Sequence, residues 1–310
     1  MESIPLQEIN VEPVSSASVM AGARTGSRAT VSAYLELTKP RITTLVMLTT
    51  AAGFFLGTPG AFSFLRFANT MVGVALLCSG VSALNEWMER DLDALMRRTA
   101  SRPLPTGRLK PRAAFLFGVA LTAGAEIYLA AFVNPLSALC GVGVIVGYLL
   151  LYTPLKTRTS LSTAVGAFPG AVPPLLGWAA ASNTVGLEAW VLFAILFLWQ
   201  FPHFFAIAWM YREDYARAGI KMLPVVEPEG RLTGQQIVLW TLMLVPVSLA
   251  PAALGISGAL YFFGALILGG LFLCSSVVAA FALTRRNARR VLLASVLYLP
   301  FLFGLMVTKM

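Results

Sequence analysis

Apolar residues fall along this chain in runs of roughly 17–25, the length that crosses a hydrocarbon core, separated by polar joins. The runs lie near 38–57, 67–87, 113–133, 136–153, 161–181, 189–209, 232–253, 259–283 and 290–308, which predicts nine transmembrane helices. Residues 1–32 are rich in Ser, Ala and Val and carry no long apolar periodicity. They are expected to form a disordered tail ahead of a transmembrane domain spanning 33–310.

Composition agrees with the pattern. At 57% hydrophobic and 12% charged residues, with a mean hydropathy of +0.77, the 310 residues hold more apolar area than a soluble fold of that size can hide. The expected class is an all-α membrane protein, with the lipid bilayer as its solvent. Charge then orients it. With the N-terminus in the cytoplasm, every one of the 23 Lys and Arg residues except Arg66 and Lys309 falls on the cytoplasmic side. The net charge of +9 therefore reports topology and phosphate handling. It does not point to nucleic acid, for which a basic, aromatic-rich soluble domain would be needed. Glu2, Glu8 and Glu12 disfavour an organellar targeting helix. Cys78, Cys140 and Cys274 lie within spans without Cys-x-x-Cys spacing, which suggests neither a disulfide framework nor a zinc site.

Candidate chemistry concentrates in residues 85–108, where acids and bases crowd the mouth of the second span. If that helix continues past Trp87, Asn85, Glu89 and Asp93 form one stripe, climbing about 12 Å while drifting about 80°. A neutral and two charged oxygens are the hard ligands Mg²⁺ takes when phosphate and water complete its shell. Asp91 points elsewhere, so it is either solvated or reoriented by a break in the helix. Arg97, Arg98 and Arg102 are placed to grip phosphate oxygens in forked geometry, and Pro103 and Pro105 to end the helix. The competing reading is an ordinary wet loop, basic because of topology. Against it stands a repetition: the sixth span ends in Trp199-Gln200-Phe201-Pro202-His203-Phe204 and leads to Tyr211, Asp214, Tyr215 and Lys221 on the same face. The fourth span leaves there too, through Tyr152-Thr153-Pro154-Leu155-Lys156-Thr157-Arg158. Two acidic helix ends facing a basic one suit a metal-bridged pyrophosphate.

These residues resemble the UbiA-type intramembrane prenyltransferases. The general pattern of that family is Asn-Asp-x-x-Asp-x-x-x-Asp after the second helix, Tyr-Pro-x-x-Lys-Arg after the fourth and a second Asp-rich motif after the sixth. Here the first motif is Asn85-x-x-x-Glu89-x-x-x-Asp93, followed by Arg98, Arg102-Pro103-Leu104-Pro105 and Gly107. The departure resembles the family's heme-modifying branch. So do Leu37-Thr38-Lys39-Pro40-Arg41, the Pro169 to Trp178 segment, Pro202-His203-Phe204, Asp214-Tyr215 and Met222-Leu223-Pro224. The second acidic motif has Tyr211 and Tyr215 flanking Asp214, where the general family has aspartates.

The resemblance implies a nine-helix UbiA-type bundle around a central cavity opening to the cytoplasmic side of a bacterial inner membrane. It implies transfer of a farnesyl group from farnesyl diphosphate to the 2-vinyl of heme b, with addition of water, a candidate heme A synthase partner downstream, and Mg²⁺ as cofactor. Asn85, Glu89, Asp93 and Asp214 are the implied metal ligands, with Lys156 joining them in catalysis. Arg97, Arg98, Arg102, Lys156, Arg158 and Lys221 are the implied diphosphate contacts. Tyr152, Tyr211, Lys39, Arg41 and the single histidine, His203, are candidates for heme or water handling. His203 stays open between a structurally bonded ring, an axial ligand to heme iron and a group that places water or moves its proton. Two rivals remain: the same fold acting on an aromatic quinone precursor, and a transporter with midplane acids.

Overall fold

The computed structural model describes residues 27–308, all of whose regular elements are helical. They are α1 (Ser27–Leu37), α2 (Pro40–Leu56), α3 (Phe64–Leu95), α4 (Pro111–Phe132) and α5 (Pro135–Ile145), which runs through a π-helical turn (Val146–Tyr152) into α6 (Thr153–Leu155). Then come α7 (Ser162–Ser182), α8 (Leu187–Met210), α9 (Arg212–Arg217), α10 (Leu223–Val226), α11 (Arg231–Ala253), α12 (Ala259–Phe281) and α13 (Arg285–Val307). Helix is the form in which an apolar segment satisfies its own backbone groups without water. The ends are specified locally: Ser63, Asn134 and Thr284 accept from the backbone amides of Arg66, Ser137 and Asn287, and prolines open α2, α4 and α5.

The chain is an integral, multi-pass membrane protein. Among the described residues, eight helices are long and apolar enough to cross a bilayer, one fewer than expected. The ninth apolar helix, α2, has 17 residues, because Gly57 and Pro59 stop it short. The expected tail is also shortened. Residues 1–26 lie outside the described residues, but α1 begins at Ser27, since its Ala33 and Leu37 are buried against Ala83, Leu104, Leu109 and Ala114. Nor do Pro103 and Pro105 end the second span. α3 passes Trp87 as expected and stops at Leu95, where Met96 turns extended and buries among Ala208, Ala218, Ile220 and Met222.

One core joins α3, α4 and the π-helical turn, through Val74, Leu77, Val81, Ala125, Leu129 and Leu149, and a larger one joins α8, α11, α12 and α13. α2 and α7 lie between them, and their backbones touch: a Cβ on Gly53 would strike the Pro174 carbonyl, and one on Gly177 the Thr50 carbonyl. Small residues at such crossings are how helices in lipid gain close contact. Bonds from Tyr261 to the Ser248 carbonyl (2.6 Å) and from Tyr298 to the Ser248 hydroxyl (2.7 Å) tie α11, α12 and α13 together.

Candidate active site

At one end of the bundle, the last three turns of α3 carry Asn85, Glu86, Glu89 and Asp93, all buried, with Asp93 at 1% exposure. Buried carboxylates need partners, and these come from loops. Lys39, between α1 and α2, donates to Asn85 Oδ1 at 3.2 Å and lies 3.7 Å from Glu86. Arg102 reaches Asp93 through Nη1 at 2.7 Å and Glu86 through Nε at 3.7 Å. Lys156, just past α6, donates to Glu89 at 2.6 Å and lies over the Tyr152 ring at 4.4 Å. Asn85 also donates to Thr153 at 3.2 Å, so α3 and the α5–α6 exit are pinned together twice.

Charge balance follows from these distances. Burial pushes the Lys39 ammonium down to about 8, helped by Arg102 and opposed by Glu86 and Glu89. Lys39 is also one of two described non-glycine residues with positive φ, at 47°, a strained backbone of the kind functional sites retain. Burial opposes the Arg102 and Lys156 charges as well, yet neighbouring oxygens, chiefly of Asp93 for Arg102 and of Tyr152 and Glu89 for Lys156, hold both above their ordinary range.

α9 closes the mouth. Asp214 accepts from the Arg98 backbone N–H at 3.3 Å and from Arg217 at 3.0 Å. Burial works against its charge, but these donors hold its carboxyl below the usual range. The Arg98 guanidinium donates to Tyr215 at 3.2 Å and lies over the rings of Tyr211 (5.0 Å) and Tyr215 (5.5 Å). Lys221 donates its backbone N–H to the Lys156 carbonyl at 2.8 Å, joining the α9–α10 loop to the basic exit.

Behind this mouth lies a cavity of about 510 Å³, within the range of small-molecule sites. Lys39, Arg98, Tyr152 and Tyr215 line its charged end; Val74, Leu77, Val81, Leu176 and Leu299 are among its walls; Gln200 and His203 stand deeper.

The expected residues sort into three groups. Lys39, Arg98, Tyr152 and His203 line the cavity. Asn85, Glu89, Asp93, Arg102, Lys156, Asp214 and Tyr211 form the charged and aromatic rim beside it. Arg41, Arg97, Arg158 and Lys221 have exposed side chains that form no ion pair with described residues. Of the two readings of Asp91, the solvated one holds, at 85% side-chain exposure. Glu86 joins the expected residues: it is seven positions before Asp93 and so shares its helix face. Gly170 leaves room for the Gln200 amide of the adjoining helix α8.

The oxygens fit a hard divalent cation. Glu86 Oε2 and Asp93 Oδ1 are buried without a partner among the described residues, and such orphaned carboxylate oxygens are costly unless something positive meets them. Among the described residues no three His, Cys, Asp or Glu side chains gather closely enough to hold a metal alone. A cation here thus takes part of its shell from Asn85, water or a bound anion, which is the habit of Mg²⁺.

Residues 46–306 match the UbiA prenyltransferase family. The chain belongs to that family. A protoheme IX farnesyltransferase of Solibacter usitatus (strain Ellin6076) is 55% identical over 282 residues, covering 88% of this chain and 97% of the relative. In fold, the chain is similar to a digeranylgeranylglyceryl phosphate synthase (TM-score 0.76, 18% identity, 90% of this chain and 98% of that one). It is also similar to a UbiA homolog from Archaeoglobus fulgidus bound to GPP and Mg²⁺ (TM-score 0.62, 19% identity, 88% and 99%). Membership of a prenyltransferase family removes the transporter reading.

Proposed function

We propose that this prenyltransferase moves the farnesyl group of farnesyl diphosphate onto the 2-vinyl group of heme b, with addition of water, giving heme O and diphosphate. The observation that carries the reading is an apolar cavity that holds the single histidine and is lined at its charged end by Lys39 and Arg98, next to the Arg102–Asp93 and Lys156–Glu89 pairs. The 55% identity to a protoheme IX farnesyltransferase over most of both chains supports the acceptor.

Glu86 and Asp93, whose orphaned oxygens face no partner among the described residues, would hold Mg²⁺ directly, with Asn85, Glu89 and Asp214 acting on it through water or the bound diphosphate. When bound, the ion neutralises diphosphate and favours departure of the leaving group. The protein's own cations act on the same oxygens. Arg98 and Arg102 present forked donors, Lys39 and Lys156 point charges, and Arg97, Arg158 and Lys221 a basic approach from solvent. Fixed charges of this kind stabilise the developing diphosphate without reorganising. As the allylic C–O bond ionises, the Tyr152 and Tyr211 rings and the apolar walls delay capture of the cation by bulk water. The heme vinyl then supplies the electron pair for the new C–C bond. The exposed Arg41, at the membrane surface beside Lys39, is assigned to a heme propionate.

The base asymmetry supports a cytoplasmic site and N-terminus in a bacterial inner membrane, where a heme A synthase would receive the product. Incubating purified protein with farnesyl diphosphate, Mg²⁺ and either heme b or 4-hydroxybenzoate tests the reading. Farnesylated heme is expected; prenylation of the acid but not of heme would contradict it.

A further inference from the structure

Deep in the cavity, one turn of α8 presents two hydrogen-bond acceptors that meet no donor among the described residues. Gln200, 4% exposed, donates its amide N–H groups to the carbonyls of Ala167 (3.0 Å) and Leu196 (3.2 Å). Carbonyls only accept, so these bonds fix the amide and leave Oε1 as a free acceptor. That oxygen occupies the space over Gly170 that a Cβ would fill.

Three residues on, His203 Nδ1 lies 2.8 Å from Ser295 Oγ on α13. Ser295 Oγ is also 2.7 Å from the Leu292 carbonyl. The serine has one hydroxyl proton, and the carbonyl can only receive it, so the serine oxygen must accept from the imidazole. Nδ1 therefore carries the ring proton, and Nε2 is a bare lone pair. Trp199 prevents ring rotation: it stacks on the imidazole at 4.6 Å and anchors its own indole N–H on the Ser295 carbonyl at 2.8 Å. Positions 200 and 203 are about 60° apart around the helix and about 4.5 Å apart along it, and both line the cavity. An anion finds no donor from this pair, whereas a water molecule can donate one O–H to each.

We infer that Gln200 and His203 hold the water that completes the reaction, with Ser295 as the positioning residue that sets the imidazole tautomer. The inference rests on the farnesyl transfer to heme proposed above. The farnesyl C–O bond breaks and its electron pair leaves on diphosphate; the vinyl π pair then forms the C–C bond. A cation is left on the carbon attached to the porphyrin. A lone pair of the held water forms the C–O bond there, and the water's proton passes to His203 Nε2. Without that water, the cation instead loses a proton from the neighbouring carbon and ends as an alkene, lighter by one water.

The test reads how product divides between the two fates. Wild type, S295A, S295T, H203A and Q200L turn over farnesyl diphosphate, Mg²⁺ and heme b in ¹⁸O-water, and mass spectrometry gives the ratio of hydroxylated to alkene heme. The ratio does not depend on how much protein is folded. Wild type is expected to give the ¹⁸O-hydroxylated product; S295A, H203A and Q200L to shift the ratio toward alkene roughly tenfold or more; and S295T to restore it. An unchanged ratio in the three variants overturns the proposal. So does loss of diphosphate release together with both products. A moved heme Soret band in H203A with an intact ratio also overturns it, by making His203 an iron ligand. If wild type yields no farnesylated heme but prenylates an aromatic acid, the substrate reading fails first and takes this proposal with it.

Discussion

Lys156 Nζ and Glu89 Oε1 are 2.6 Å apart, on segments 67 residues distant in sequence, and both are largely withdrawn from solvent. The pair joins the exit of the fourth span to the acidic end of α3. It therefore ties two distant segments together at the bundle's charged end.

Breaking that pair from one side leaves a buried charge. E89A should destabilise the detergent-solubilised protein by roughly 3–5 kcal/mol, read as a lowered unfolding midpoint. The E89Q/K156M double variant should recover much of that stability but no turnover. Recovery of activity in the double variant would show the pair to be structural only.

Arg102 spans two carboxylates, Glu86 through Nε and Asp93 through Nη1. A lysine offers a single point charge in place of that fork. R102K should retain fold but lose roughly 10²-fold or more in kcat/KM for farnesyl diphosphate. Activity within about threefold of wild type would contradict the assigned role.

Arg98 and Arg97 are adjacent in sequence and unlike in place. Both side chains are exposed, but Arg98 also lines the cavity beside two tyrosine rings, whereas Arg97 forms no ion pair with described residues. R98A should lower kcat/KM at least roughly tenfold more than R97A. Equal effects would mean that diphosphate is gripped outside the cavity.

The orphaned oxygens of Glu86 and Asp93 make a prediction about metal. Chelation should abolish diphosphate release and added Mg²⁺ restore it. E86Q should raise the Mg²⁺ concentration for half-maximal rate roughly tenfold or more. An unchanged Mg²⁺ requirement would remove Glu86 from the site.

The apolar helices were legible because bilayer thickness imposes a length, and the Asn85, Glu89, Asp93 stripe because helical geometry imposes a period. What long-range packing decides was not. α3 ends at Leu95, eight residues before Pro103, because Met96 finds a pocket made by Ala208, Ala218, Ile220 and Met222. Glu86 gains its role from Lys39 and Arg102, whose loops are set in place by the burial of Leu37 and Leu104. Ser295 sits in an apolar run near the end of the chain, and only the packing of α13 on α8 brings it to His203. Glu126 lies on α4 beside Gly141, with both oxygens lacking a partner among the described residues.

The central claim is that diphosphate is held and released at the charged end of α3. Photo-crosslinking with a non-hydrolysable farnesyl diphosphate analogue carrying its reactive group on the diphosphate tests it most directly. Labels should fall on the rim formed by Lys39, Asn85, Glu89, Asp93, Arg98, Arg102 and Lys156, and be displaced by farnesyl diphosphate. Displaceable labelling at the opposite end of the bundle, near Arg66 or Asn134, would contradict the account.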